Sequence, residues 1–97
     1  MTNLDTSVIQ VTNVSPTGSL EQMTAFFSFV GGVHEIVIYP KDNSSIQTQS
    51  KTCYVRFDDP ASVRVAQHLS NTVFIDRALI VTPVFDDYIP DESTAFR

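Results

Sequence analysis

Few residues in this 97-residue chain could make or break bonds, and none stands in a pattern that does so. His34 and His68 have no cysteine or carboxylate at metal-ligand spacing. Cys53 is the single cysteine, so it can close no internal disulfide and has no partner for a zinc site. Serine, histidine and aspartate all occur, but not in a G-x-S-x-G turn that presents a nucleophile. The neighbouring acids Asp58 and Asp59 precede Pro60, where acids and proline suit the first turn of a helix better than acid–base work. Asn13-Val14-Ser15 and Asn43-Ser44-Ser45 have glycosylation spacing, with no signal sequence to deliver them to it. No enzyme activity, metal or cofactor is therefore expected.

The alternation over Thr52–Phe57 is more informative. Cys53, Val55 and Phe57 fall on one side of a strand and Thr52, Tyr54 and Arg56 on the other. An amphipathic strand of this kind buries one face and offers a ring, a hydroxyl and a guanidinium on the second.

The rest of the chain supplies elements to hold such a strand. Ser7–Val14 alternates Ile9 and Val11 with Gln10 and Thr12, predicting a first strand. After the turn residues 13–18, Ser19 and Gln22 form a capping box, and Met23, Phe26, Phe27 and Val30 make a helical apolar face. Gly31-Gly32 is expected to end that helix in a left-handed C-cap. Val33–Tyr39 reads as a second strand stopped by Pro40, and Lys41–Ser50 as a polar loop. A second helix follows Pro60, with Val63, Ala66 and Leu69 as its stripe and Ser70-Asn71-Thr72 at its end. Phe74-Ile75 is expected to pair briefly, and Ala78–Thr82 to form the fourth strand. The order β-α-β-β-α-β predicts an α+β fold, a split ferredoxin-like plait: a four-stranded antiparallel sheet with two helices on one face. Each helix has one apolar stripe, so both must cover the same sheet face. The expected division is a leader over 1–7, the domain over 8–83 and an extension over 84–97.

Composition agrees with one globular domain: 42% hydrophobic and 18% charged residues. No apolar run reaches the ~18–20 residues that cross a bilayer, so no membrane role is expected. The N-terminus lacks a basic-then-apolar signal pattern, and a reducing compartment is expected. The net charge of −5 is the wrong sign for a ligand held mainly through phosphates. Much of it lies in Asp86, Asp87, Asp91 and Glu92; over residues 1–84, seven acids face five Lys/Arg.

The span from about Val8 to Pro83 resembles the RNA recognition motif (RRM) family. Ile9-Gln10-Val11-Thr12-Asn13-Val14 is similar to its first-strand hexamer, and Lys51-Thr52-Cys53-Tyr54-Val55-Arg56-Phe57 to most of its third-strand octamer. Asp76-Arg77-Ala78-Leu79-Ile80-Val81 resembles its fourth strand. Within that family, 8–16, 65–69, 71–81 and Tyr88-Ile89-Pro90-Asp91-Glu92 resemble SR-related splicing regulators. The resemblance implies a nuclear protein, a role in pre-mRNA splicing and single-stranded RNA as ligand, with splicing-related proteins as partners and no small-molecule substrate.

Three aromatics of the family's open face stack bases; their places hold Gln10, Thr52 and Tyr54 here. Each lost stack is worth ~1–3 kcal/mol, so weak or atypical RNA binding is expected. Gln10 can still bond a base edge, Arg56 and Lys51 can meet phosphate, and Tyr39 on the second strand can supply a replacement ring. The expected RNA-binding set is thus Tyr54, Gln10, Thr52, Arg56, Lys51 and Tyr39. The alternative is a protein-interaction module that keeps the plait without base stacking. Phe29, off the main stripe of the first helix, is its first candidate contact. Phe74 is the second, where some peptide-binding members of the family carry an Arg-x-Phe signature; Thr72 takes the arginine's place. A further expectation is that Phe85, Tyr88 and Ile89, a small apolar cluster after the last strand, carry the tail back over the open sheet face, where it competes with RNA.

Overall fold

The computed structural model describes residues 6–41 and 49–92. Its elements are β1 (Val8–Val14), α1 (Leu20–Ser28), β2 (Val33–Tyr39), β3 (Lys51–Phe57), α2 (Ala61–Gln67), β4 (Val73–Phe74), β5 (Arg77–Ala78) and β6 (Ile80–Pro83). Four strands form an antiparallel sheet in the order β2-β3-β1-β6. Strands β4 and β5 pair with each other as a small hairpin. This is the expected plait, with the last long strand running over Ile80–Pro83 rather than 78–82.

The capping box opens α1. Ser19 Oγ accepts from the Gln22 N–H at 3.1 Å, and Gln22 Oε1 accepts from the Ser19 N–H at 2.9 Å. The helix end differs from expectation. Phe29 is the C-cap and is right-handed at φ −71°, and no glycine in the described residues has positive φ. Gly31 and Gly32 are needed for space instead. A Cβ on Gly31 would collide with the Ser62 hydroxyl of α2, and one on Gly32 with the Asp58 carboxylate.

Pro60 stands at the N-cap of α2, and Asp59 Oδ1 accepts from the Ala61 N–H at 2.9 Å. The helix stops at Gln67, short of the expected end. His68, Leu69 and Ser70 donate to the carbonyls three residues back, and Asn71 turns left-handed at φ 73°.

Both helices pack on Ile9, Val11, Cys53, Val55, Phe57 and Val81 through Met23, Phe27, Val63 and Ala66. Phe27 stacks edge-on against Phe57 and Phe26, with centroids 6.5 and 5.0 Å apart. Cys53 is fully buried here; desolvation pushes its thiol up to about 12, and it fills space as a small hydrophobe. Near the end of β1 an extra residue opposes β3 between Val11 and Val14. Asn13 takes φ 61° there and donates from Nδ2 to the Ala78 carbonyl at 2.8 Å. This bulge returns Val14 to the core.

Candidate functional site

Strand alternation places Val8, Gln10 and Thr12 of β1 on the face away from the helices, with Thr52, Tyr54 and Arg56 of β3. The register sets Gln10 between Tyr54 and Thr82, and Tyr54 between Gln10 and Val37. Tyr39 pairs with Thr52, and Arg56 lies between Val8 and Glu35. Five of the six expected RNA-binding residues thus share one surface. Lys51 does not. It shares its side of β3 with Cys53 and Val55, and its Nζ donates to the Gly18 carbonyl at 3.2 Å on the helix side. There it lines a cavity of about 400 Å3 with Leu20, Ile36, Ile38 and Lys41.

The side chains on this face are already engaged. Gln10 Nε2 donates to the Tyr54 hydroxyl at 2.9 Å, and Gln10 Oε1 accepts from Thr82 Oγ1 at 3.4 Å. The Tyr39 and Tyr54 rings meet edge to face, centroids 6.2 Å apart, and Lys41 Nζ lies 5.8 Å from the Tyr39 ring centre. Each ring is only 4% exposed.

The chain beyond β6 accounts for that burial. One more rung of the β1–β6 ladder, the Val84 N–H on the Val8 carbonyl at 2.9 Å, precedes a turn closed by the Asp87 N–H on the Val84 carbonyl at 3.0 Å, and the segment then passes back over the sheet. The Tyr39 hydroxyl donates to the Pro90 carbonyl at 2.8 Å, and the Lys41 N–H donates to Glu92 Oε2 at 2.7 Å. Between the returning segment and the sheet is a cavity of about 470 Å3, lined by Gln10, Tyr54, Val84, Asp86, Tyr88 and Pro90 among others. The segment folds back as expected, but not as an apolar cluster. Phe85 and Tyr88 are largely exposed, and the segment is held by the polar bonds of Pro90, Glu92 and Asp87.

Asp87 is the main anchor. Arg56 Nη1 donates to its Oδ1 at 3.2 Å and Arg56 Nη2 to its carbonyl at 3.0 Å. The Ser7 N–H and hydroxyl donate to the same Oδ1 at 3.0 and 3.2 Å. The Ser7 N–H above all, then its hydroxyl and the Arg56 guanidinium, hold the Asp87 carboxyl below the usual carboxylate range. Burial, with Asp91 and Glu92 nearby, raises the Tyr39 hydroxyl above its ordinary value. Sequence reading missed Asp87, Ser7 and Thr6 as site residues. Asp87 offered only its charge as a signal, and the two hydroxyls offered none.

The remaining candidates lie elsewhere. Phe29, one residue past α1, is 93% exposed. Phe74 is partly buried against the core, edge-on to Phe26 at 5.0 Å. Arg77 is occupied by Asp76 at 2.9 Å and the Gln49 carbonyl at 2.9 Å. Among the described residues no group of three or more His, Cys, Asp or Glu side chains is placed to hold a metal ion. No helix among them is long and apolar enough to cross a membrane.

Comparison with known proteins gives a consistent picture. The family model described as RNA recognition motif matches residues 9–80. The chain is 54% identical over 90 residues to human (Homo sapiens) serine/arginine-rich splicing factor 11, covering 93% of this chain and 19% of that protein. It is 36% identical over 91 residues to Caenorhabditis elegans probable splicing factor, arginine/serine-rich 7, covering 93% and 20%. The chain therefore spans about a fifth of the length of these relatives. Among solved structures, the Rna15 RRM with bound RNA (GU) superposes with a TM-score of 0.75 at 19% identity, covering 94% of this chain and 96% of that one. The Mip6 RRM3 domain gives 0.69 at 23% identity, covering 79% and 90%.

Proposed function

The chain belongs to the RNA recognition motif family, and from that premise we propose that it is an RNA-binding module of a pre-mRNA splicing regulator, gripping single-stranded RNA weakly through its helix-free sheet face. One observation carries the reading: Gln10, Thr52, Tyr54, Arg56 and Tyr39 converge on that face from β1, β2 and β3. Rings stack unpaired bases, the Gln10 amide reads a base edge, and Arg56 meets phosphate. The domain binds rather than catalyses. The two splicing-factor relatives support a nuclear location and splicing proteins as neighbours in the assembly.

Low affinity has two causes. Two of the family's three stacking positions hold Gln10 and Thr52, and the two tyrosines are covered by the returning segment. Titration of short random RNA into isotope-labelled protein tests the reading. Shifts should concentrate on β1 and β3, and affinity should fall with salt by a slope of ~0.7 per neutralised phosphate. Movement confined to α1 and α2 would overturn it. A second reading, a protein-interaction module, has Phe29 as its contact, because at 93% exposure it is the most open large hydrophobic side chain among the described residues. That reading predicts a salt-insensitive partner and loss of its binding on Phe29→Ala.

A further inference from the structure

Asp87 Oδ1 occupies an anion seat built by other parts of the chain. Three donors converge on it: the Ser7 N–H at 3.0 Å, the Ser7 hydroxyl at 3.2 Å and Arg56 Nη1 at 3.2 Å. Thr6 Oγ1 lies 3.3 Å away, but its one proton is directed to the Val84 carbonyl at 2.5 Å. Arg56 Nη1 also donates to Ser7 Oγ at 3.3 Å, which turns the Ser7 hydroxyl proton toward the acid. The donors sit on the rigid part of the domain: the Ser7 carbonyl accepts from the Phe57 N–H at 2.8 Å, tying it to β3. The acid sits on the returning segment, in a left-handed conformation at φ 56°.

A backbone N–H, a hydroxyl and a guanidinium around one oxygen suit any oxyanion, and a phosphodiester oxygen as well as a carboxylate. Arg56 is two residues from Tyr54 on the same face of β3, roughly 7 Å along the strand. A nucleotide whose base lies on Tyr54 therefore brings its phosphate within reach of the seat. We infer that the Ser7–Arg56 seat is a phosphate subsite of the sheet face and that Asp87 is its intramolecular occupant. Residues 84–92 close the face by imitating a nucleotide, with the Asp87 carboxylate in the place of phosphate and the Pro90 carbonyl held by Tyr39 beside the covered rings. RNA and the returning segment then exclude each other. Asp86, Asp91 and Glu92 add charge that repels phosphate while the segment is down. The inference rests on the RNA reading above.

The test uses the full chain as parent, Asp87→Ala, Arg56→Gln and the double variant, with Glu21→Gln on α1 as a charge-matched control. Two probes are added separately. Inorganic phosphate should shift the Ser7 amide and the Arg56 side-chain signals in Asp87→Ala and far less in the parent. A short random single-stranded RNA should bind Asp87→Ala roughly two- to tenfold more tightly, with a salt slope steeper by ~0.7. The gain should shrink when Arg56→Gln is added. Equal phosphate shifts in parent and Asp87→Ala, or none in either, overturn the seat. So does an equal RNA gain from Glu21→Gln, or a gain undiminished by Arg56→Gln. If phosphate enters the seat of Asp87→Ala yet no chain binds RNA, the RNA reading fails, and the subsite's role in RNA binding with it.

Discussion

Phe57 and Tyr54 lie on opposite faces of β3 and are buried almost equally, at 2% and 4% exposure. Phe57 is covered by helices whose own apolar stripes have nowhere else to go. Tyr54 is covered by a strap carrying four acids and one proline, held by hydrogen bonds to Tyr39, Arg56, Ser7 and Thr6. Equal depth therefore does not mean equal permanence. Apolar burial is lost only when the domain unfolds, whereas a polar strap exchanges its bonds for water or a ligand at small net free energy. The first face is a core and the second a polar surface under a strap.

Four experiments break or sharpen that contrast. Phe27→Ala removes a fully buried ring from the helix face and should destabilise the whole domain by about 3–5 kcal/mol in chemical denaturation. Gly31→Ala should cost about 1–3 kcal/mol, because its methyl meets Ser62, and Ser62→Ala should recover part of the loss.

On the other face, Tyr39→Phe deletes the bond to the Pro90 carbonyl. It should weaken closure by about 1 kcal/mol, read as roughly fivefold faster amide exchange within residues 85–92, with core amides unchanged. Slowed or unchanged exchange there would remove the distinction between the faces.

The smallest effect is acid. The folded Asp87 carboxyl titrates below its ordinary value, so its contribution to closure is complete above the ordinary carboxylate range and is lost as pH falls through its depressed value. Its side chain is half exposed, which limits the effect to under about 1 kcal/mol. The Ser7 amide signal should report the opening while β3 core signals stay in place.

Much of the architecture was legible because it follows local rules. The Ser19–Gln22 box, the alternation in β1 and β3 and the stripe Met23–Phe26–Phe27 each act within a few residues, and each stands where those rules put it; Val30, expected on the same stripe, packs on the core from beyond the helix end at Ser28. The same alternation already put Lys51 with Cys53 and Val55, away from Tyr54; likeness to the octamer outweighed it in the expected site. Gly31 and Gly32 were misread because the helix-end rule considers one helix, while their real constraint comes from α2 and the segment before it. In the site, Tyr54, Gln10, Thr52, Arg56 and Tyr39 could be grouped in advance. Ser7, Thr6 and Asp87 could not, since about 80 residues separate the hydroxyls from the acid they meet.

By itself the sequence determined the order of elements, the helix-facing side of β1 and β3 and the family, because periodicity and short motifs are properties of neighbouring residues. Only the tertiary structure decided which atoms occupy the far side of the sheet, and that they hold it through polar bonds rather than an apolar cluster. That outcome depends on where the chain leaving β6 passes over β1, β3 and β2, and on a carboxylate meeting an arginine 31 residues away. No local pattern encodes such a meeting.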